Sequence, residues 1–314
     1  MKFPKETRLL TIAAIRSNRK EGVTEYLFNE SERIFTIPAE NKFIQDYSKL
    51  AEGVFRKKEP VKVRLDTKRA IIEKIDLPSA RELKKFISER VLLDKPERPR
   101  PIKIEAIDPT VFNVVDYHLK FPVFKLCIKT IPSYSKAKEI FDFCAKQSCH
   151  LPVPKDVSPC IPFQYVRDGC YARAHKMRWI ITTKYRFCCE KVFSFANKSN
   201  DRLAVKADKW GGCCVTWWYH VAPLIRVKVK LLKWEFTLAM VIDPGMFDKP
   251  VLLSSWLAAQ KNTLCSANAN VSMYSIQPGS AYSPANYDGT AFSTDPNYSS
   301  TDATLNNYKN LVTC

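Results

Sequence analysis

The chain has 314 residues, 46% of them hydrophobic, and a formal net charge of +18. It is too apolar to be disordered, and its apolar runs, such as Leu9–Ile15, fall far short of the roughly 20 residues that a membrane span needs. Nearly all of the Lys and Arg are spread over positions 1–235, and no nucleic-acid-binding motif is visible. We therefore expect two modest globular domains with a basic surface, no membrane span and no specific nucleic-acid partner.

Residues 1–92 contain no cysteine and many charged side chains. Ser79 and Glu82 have the spacing of a capping box at a helix start. The apolar patterns predict two strands and two helices, at Thr7–Ile15, Val61–Leu65, Asn41–Phe55 and Ser79–Val91. We therefore predict a small α/β domain here, in which the sequence indicates no catalytic or binding residues.

Residues 93–130 are predicted to form a linker or insert between two domains. Leu93–Pro101 carries three prolines among charged residues, at positions 96, 99 and 101. This composition is typical of an exposed, extended segment that a protease can reach. Residues 102–130 receive no assigned role.

Residues 131–314 form the predicted catalytic domain, and ten of the eleven cysteines lie within it. There is no CxxC spacing and no neighbouring His pair, so we predict no metal site. Disulfides in an oxidising compartment fit better, and the odd count leaves at least one free thiol. We expect a secreted or otherwise exported protein, although the segment around Leu9–Ile15 lacks the cleavage site of a signal peptide.

The elements predicted in this domain are two helices followed by two long alternating strands. They are Ser135–Lys146, Cys170–Ile181, Val215–Lys230 and Trp234–Ile242. The last fifty residues are rich in Ser, Asn, Thr and Tyr. That composition predicts surface loops pinned by cysteine, or a partly disordered tail.

Cys170 follows Asp168 and Gly169, which are residues typical of a helix start. In the first turn of a helix, unpaired backbone N–H groups and the helix dipole stabilise a thiolate, and they can also hold an oxyanion. A cysteine at a helix start can equally be structural. Cys170 is therefore a candidate nucleophile that needs partners.

His220 lies on the first long strand and is expected to share a face with Trp218, while Asp243 ends the second strand. Folding the strands about Leu231–Leu232 would set His220 directly opposite Asp243. Taken singly, these residues are an ordinary core histidine and a turn aspartate. The order Cys, His, Asp is nevertheless that of a cysteine hydrolase: nucleophile, base and orienting carboxylate.

Three motifs make this interpretation specific: DGCYARAHKMR at 168–178, CCVTWWYHVA at 213–222 and IDPGMF at 242–247. They resemble the bacterial protein-glutaminase family, and the resemblance covers roughly 131–275. Residues 32–92, with FTIPAENKFIQDYSKLAEGVF and PVKVRL, resemble the family's pro-region. The resemblance implies an α+β fold, with a papain- and transglutaminase-like core whose nucleophile helix lies against an antiparallel sheet, preceded by a small pro-domain at 1–92.

The resemblance also implies an activity: hydrolysis of protein-bound glutamine to glutamate and ammonia through a Cys170 thioester, without a cofactor. His220 would be the general base and acid, and Asp243 the orienting group. The partners would be proteins or peptides with exposed glutamine, and the chain's own inhibitory N-terminal region. Trp217 and Trp218 are candidates for the substrate groove, although one of them should be core.

The family pattern also concerns the cysteines. It implies a disulfide between Cys149 and Cys160, whereas Gln260 stands where the family has a cysteine and Cys188 is additional. The remaining histidines are interpreted as structural or surface residues, at positions 118, 150 and 175.

Other functions remain open on the triad alone. A transglutaminase uses the same triad with an amine as the acceptor, and a cysteine protease attacks the main chain. A non-catalytic module that binds partners through its basic surface is a further alternative.

Overall fold

The computed structural model describes residues 5–18, 22–93, 112–115, 124–198, 200–231 and 234–314. The proline-rich segment from position 94 onward, His118 and most of residues 102–130 lie outside the described residues. No helix in the described part of the chain is long and apolar enough to cross a membrane. Helices and strands alternate along the chain in two units, which we call the N-terminal unit (5–93) and the C-terminal unit (127–314).

The N-terminal unit is a closed barrel in the order β1-β2-β3-β5-β4, with one helix, α1, packed against it. Its interior is aliphatic and aromatic, and Ala51 and Val54 of α1 are buried in it. The predicted capping box is present, since Glu82 accepts from the Ser79 N–H at 2.9 Å and Ser79 accepts from the Glu82 N–H at 3.3 Å. The elements are β1 Lys5–Asn18, β2 Val23–Phe28, β3 Ser31–Thr36, α1 Ile44–Lys57, β4 Pro60–Asp66, β5 Ile71–Asp76 and α2 Ala80–Leu93.

Two short strands follow, β6 (Phe112–Val115) and β7 (Phe124–Cys127), and they pair antiparallel. Cys127 is disulfide-bonded to Cys188, and the Ile128 N–H donates to the Arg186 carbonyl at 2.8 Å. The chain is therefore attached to the C-terminal unit four residues before the boundary predicted at 131.

The C-terminal unit is built on a five-stranded antiparallel sheet in the order β13-β12-β11-β8-β14. Helix α4 packs on the central strand β11, and Ile180, Val221 and Ile225 are buried between them. The elements to the end of this sheet are α3 Tyr134–Lys146, α4 Cys170–Thr183, β8 Glu190–Phe195, β9 Leu203–Lys206, β10 Cys214–Trp217, β11 Tyr219–Leu231, β12 Trp234–Val241, β13 Val251–Leu252, α5 Leu253–Ala259 and β14 Met273–Gln277.

The hairpin β11–β12 has a different register from the predicted one. Leu224 pairs with Val241 and the ladder ends there, so His220 and Asp243 are not a cross-strand pair. The predicted midpoint at 231–232 is wrong, because Leu231 pairs with Trp234. The error is an even shift of two residues, which leaves the two faces of the paired strands β11 and β12 as predicted.

The C-terminal segment is more regular than its polar composition predicts. It contains β15 (Ala281–Pro284), β16 (Phe292–Thr294) and α6 (Ser299–Tyr308), and α6 packs on α4. Leu305 and Tyr308 are buried there. Of the two predicted alternatives, the disulfides at Cys265 and Cys314 agree with loops pinned by cysteine.

Four disulfides occur among the described residues: 127–188, 149–160, 213–314 and 214–265. The bridge between Cys149 and Cys160 is the one that the family pattern implies. Three described cysteines are free thiols, at positions 144, 170 and 189, and all three are buried.

Candidate active site

Cys170 is the first residue of α4, and Gly169 is the N-cap. Gly169 has φ 84°, and a Cβ there would lie 2.8 Å from the Tyr308 ring, so glycine is required on both counts. Asp168 Oδ1 accepts the Gly169 N–H at 2.8 Å. Cys170 therefore lies in the first turn of a helix, as the sequence predicted, where backbone N–H groups without intrahelical partners and the helix dipole favour a thiolate.

His220 and Asp243 meet through their side chains, with Nε2 of the imidazole 2.9 Å from Oδ2. The Trp256 indole donates to the same oxygen at 2.9 Å. Burial raises the pKa of Asp243, but its contacts with His220 and Trp256 outweigh this, and the net pKa is lowered. The ionised carboxylate therefore fixes the ring, and Nδ1 of His220 is left buried and without a hydrogen-bond partner among the described residues.

Two indole rings stack on the His220 ring. Trp217 stacks on it with centroids 4.6 Å apart and planes 8° apart, and Trp256 lies on it at 5.4 Å and 22°. The sequence placed Trp218 on the face of His220, which is wrong because the strand is interrupted at Trp218. That break shifts the alternation by one residue and brings Trp217 against the imidazole.

Cys170, His220 and Glu32 converge at one point: one side-chain donor atom of each lies within 4.8 Å of the others. Glu32 comes from β3 of the N-terminal unit and is fully buried. Its Oε2 accepts the Cys170 backbone N–H at 2.9 Å. The structure thus brings together the three residues that the sequence singled out and adds a carboxyl group that it did not.

Burial raises the pKa of Glu32 to about 8, against the effect of the neighbouring Arg173 guanidinium, whose nitrogen lies 3.7 Å from Oε1. Burial also raises the pKa of the Cys170 thiol well above its ordinary value, and the Glu32 carboxyl adds to the rise. Arg173 and the Val221 N–H oppose it. In this state both groups are protonated at neutral pH, and Cys170 is a thiol.

The sulfur, nitrogen and oxygen donors of this cluster are of the types that bind zinc. The carboxyl oxygens are already engaged, one by the Cys170 N–H and the other beside a buried guanidinium. A cation would have to compete with that positive charge. The arrangement suits acid–base and nucleophilic chemistry better than metal binding.

Trp218 joins the two units through its main chain and its indole. Its N–H donates to the Glu32 carbonyl at 3.0 Å, and its Nε1–H donates to the Ser31 carbonyl at 2.8 Å. The Ser31 hydroxyl donates to Asp168 Oδ2 at 2.9 Å. Both predicted groove tryptophans are buried, Trp218 beneath strand β3 and Trp217 beside His220.

The other singled-out side chains lie outside this cluster. His175 is buried and bonded to Lys191 Nζ at 2.7 Å and the Asp295 carbonyl at 3.0 Å. His150 is exposed, and its Nδ1 lies 2.6 Å from the Ser148 hydroxyl. Gln260 accepts from the Ser194 hydroxyl at 2.6 Å and donates to the Trp256 carbonyl at 3.0 Å. It thereby helps to position Trp256, whose indole donates to Asp243.

Three residues of the site were missed from the sequence: Glu32, Arg173 and Trp256. Arg173 lies on α4 three residues after Cys170, and its guanidinium donates to the Tyr165 and Asp168 carbonyls at 2.6 Å each. Its place within the DGCYARAHKMR motif was the available signal. For Glu32 the available signal in the sequence was its position at the start of the pro-region-like segment.

Comparison with known proteins places these features in one family. Residues 137–260 match a family model described as Glutaminase. A crystal structure of pro-protein-glutaminase matches 99% of this chain and 95% of its own, with 26% identity and a TM-score of 0.70. A crystal structure of protein-glutaminase and the NMR structure of protein-glutaminase from Chryseobacterium proteolyticum each match 59% of this chain and 92% of their own, with 35% identity and a TM-score of 0.50. No curated protein sequence matches the chain.

Proposed function

Because the chain belongs to the protein-glutaminase family and is an enzyme of that class, we propose that it deamidates protein-bound glutamine with Cys170, His220 and Asp243 as its catalytic triad. The observation that carries this assignment is the His220 ring: Asp243 fixes it, its Nδ1 is buried without a hydrogen-bond partner among the described residues, and one of its nitrogens lies within 4.8 Å of the Cys170 sulfur. An imidazole held in this way can take a proton from the thiol, and the carboxylate stabilises the imidazolium that forms.

The reaction proceeds in two steps. Cys170 Sγ attacks the side-chain carbonyl carbon of glutamine, and the Cys170 N–H stabilises the oxyanion. His220 then protonates the leaving nitrogen, ammonia departs and a thioester remains. Water, activated by His220, hydrolyses the thioester to glutamate and restores the thiol.

The architecture supports a papain- and transglutaminase-like core, because a helix with the nucleophile at its first residue lies against the antiparallel strand that carries the base. A transglutaminase would use an amine in place of water, and a protease would cut the main chain. The family match favours deamidation. Four disulfides fit an exported protein.

In this proposal residues 1–92 form an inhibitory pro-domain, residues 93–130 a linker or insert, and residues 131–314 the catalytic domain. The support is that β3 crosses the site: Glu32 accepts the Cys170 backbone N–H, and the Trp218 N–H donates to the Glu32 carbonyl. A covalently attached inhibitor has a high effective concentration, so even weak contacts keep the site occupied until the tether is cut.

The catalytic assignment is tested on the cleaved chain by ammonia release from a glutamine-containing peptide. Cys170→Ser and His220→Ala should each remove nearly all activity with unchanged circular dichroism, while Asp243→Asn should be milder. New peptide ends would instead indicate a protease, and cross-links a transglutaminase. No ammonia, peptide ends or cross-links would leave the basic binding module as the remaining function.

Latency is tested separately, by comparing the intact chain with one cleaved between positions 94 and 130. The intact chain should release little ammonia and the cleaved chain much more. Equal activity in the two forms would refute the inhibitory role without affecting the triad.

A further inference from the structure

The disulfide between Cys127 and Cys188 gives the C-terminal unit a second covalent connection to the chain that precedes it. Cys127 ends β7, and Cys188 lies 61 residues later, between α4 and β8. Cys188 is the cysteine that is additional to the family pattern. The other three disulfides among the described residues join cysteines that both follow position 131. The 127–188 bridge therefore attaches the predicted linker directly to the predicted catalytic domain.

The main chain just after Cys127 is also bound to the C-terminal unit. Ile128 and Ile131 each donate one backbone hydrogen bond to that unit and accept one from it. Their partners are main-chain groups of Arg186, Cys188, Arg226 and Lys228, at 2.7 to 2.9 Å. Between the two isoleucines, Lys129 is exposed in a bend, where a protease specific for basic residues can cut. The chain is thus anchored on both sides of a cleavable position.

The two sides of Cys127 differ in what a cut leaves behind. Cys127 is the first cysteine of the chain. A fragment that ends before it, in the proline-rich segment for example, contains no cysteine and keeps no covalent bond to the rest of the protein. A fragment that ends after it, at Lys129 for example, still carries Cys127 and stays bonded to Cys188. Cleavage of the main chain and release of the N-terminal unit are therefore separate events.

The bridge also leaves the tether of the N-terminal unit unchanged. In the uncut chain that tether runs from the end of α2 at Leu93 to Cys127, where the bridge fixes it to the C-terminal unit. A cut at Lys129 falls beyond this anchor, so the length of the tether stays the same. A tethered inhibitor has an effective concentration of roughly millimolar order, whereas a released fragment is diluted to its concentration in solution. A chain cut at Lys129 should therefore hold its N-terminal unit as firmly as the uncut chain does.

We propose that the Cys127–Cys188 bridge is a covalent lock on the latent state: a cut before Cys127 frees the N-terminal unit, and a cut after Cys127 leaves a two-chain protein that stays latent. This inference rests on the deamidase activity and the inhibitory role proposed above. It places the start of the active enzyme before Cys127 rather than at position 131. The cleaved chain of the tests above is accordingly a chain cut before Cys127.

The experiment places the recognition sequence of one site-specific protease at two positions of the full-length chain. The upstream site lies between positions 100 and 101, and the downstream site lies in the bend between Lys129 and Thr130. Three variants carry the upstream site, the downstream site or both, with all cysteines unchanged. Each is cut to completion, and ammonia release from a glutamine-containing peptide is measured at roughly nanomolar protein, well below the effective concentration that the tether supplies. Non-reducing electrophoresis shows whether the fragments stay joined.

The upstream cut should activate the enzyme, whereas the downstream cut should leave its activity within about twofold of the uncut chain. The chain cut at both sites should be as active as the one cut upstream, which would show that the downstream cut does not damage the catalytic unit. A fourth variant, the downstream-site chain with C127S and C188S, should become active on cutting because it has no bridge. The doubly cut chain decides the question even if loss of the bridge impairs folding.

The lock alone is overturned, and the deamidase function stands, if the downstream cut by itself activates the enzyme or if its fragments separate without reductant. The same conclusion follows if the doubly cut chain is inactive while the upstream-cut chain is active, because the downstream cut would then impair the enzyme itself. If the upstream cut yields no ammonia, or if the uncut chain is as active as the cut one, the proposed activity or its inhibition fails. The lock then fails with it.

Discussion

Raising the pH should weaken the docking of the N-terminal unit, because Glu32 must give up a proton inside a buried site. Its pKa is 4.5 in an exposed chain and about 8 when docked, with burial as the largest cause. The charged and titratable groups around it are Arg173, Asp168, Cys170, His220 and Tyr219. Arg173 and the hydrogen bonds with Cys170 favour the ionised form, but burial and Asp168 outweigh them, so the net penalty on the carboxylate remains.

The sign and size follow from proton linkage. Below about pH 4.5 both the docked and the free unit are protonated at Glu32, and docking is strongest. Between 4.5 and about 8 only the docked state holds the proton, so docking weakens by up to about 1.4 kcal/mol per pH unit and by at most about 5 kcal/mol in all. Between about pH 6 and about pH 8 this amounts to roughly 50-fold in the inhibition constant.

The assay measures inhibition of the cleaved enzyme by its own N-terminal unit as a function of pH. Glu32→Met serves as the control, since methionine is close in size, carries no charge and cannot be deamidated. The ratio of the wild-type to the E32M inhibition constant cancels the titration of the enzyme itself and should rise roughly 50-fold from about pH 6 to about pH 8. A flat ratio would refute the claim that Glu32 docks in its protonated form.

Three further outcomes are expected. Glu25→Gln removes a fully buried carboxylate that pairs with guanidinium groups of both units. Breaking such a pair costs roughly 3–5 kcal/mol, so the cleaved N-terminal unit should inhibit at least 100-fold less well. Glu40→Gln is the control and should leave inhibition unchanged. Trp256→Phe removes a donor that lowers the pKa of Asp243, so the acidic limb of the kcat profile should move to higher pH; an unmoved limb would contradict the contact. Peptide mapping without reductant should find Cys170 as a free thiol, and its presence in a disulfide would rule out its role as nucleophile.

The residues of the proposed triad could be found from the sequence because each is marked locally. Cys170 follows two helix-start residues, and His220 and Asp243 lie on strands that are neighbours along the chain. The predicted register was wrong by two residues. Since side chains alternate with a period of two, an even error leaves the two residues on the same face. His220 and Asp243 are therefore in contact even though the predicted register is wrong.

Strands β2 and β3 were missed for a physical reason. They carry Glu25, Glu32 and Arg33, which are all buried, so the alternation of apolar and polar residues is lost. Their burial depends on partners far along the chain: the Cys170 N–H that binds Glu32 is 138 residues away. No local pattern predicts that a charged side chain will be covered by another unit. Helix α6 in the polar C-terminal segment was missed because its burial also depends on a distant partner, helix α4.

The proposed inhibition acts on chemistry as well as on access. With Glu32 in place, burial and the Glu32 carboxyl raise the pKa of Cys170. The proposed nucleophile is therefore both covered by β3 and protonated. Removing β3 lets water in and takes that carboxyl away, while the helix N-terminus and Arg173 remain to favour the thiolate.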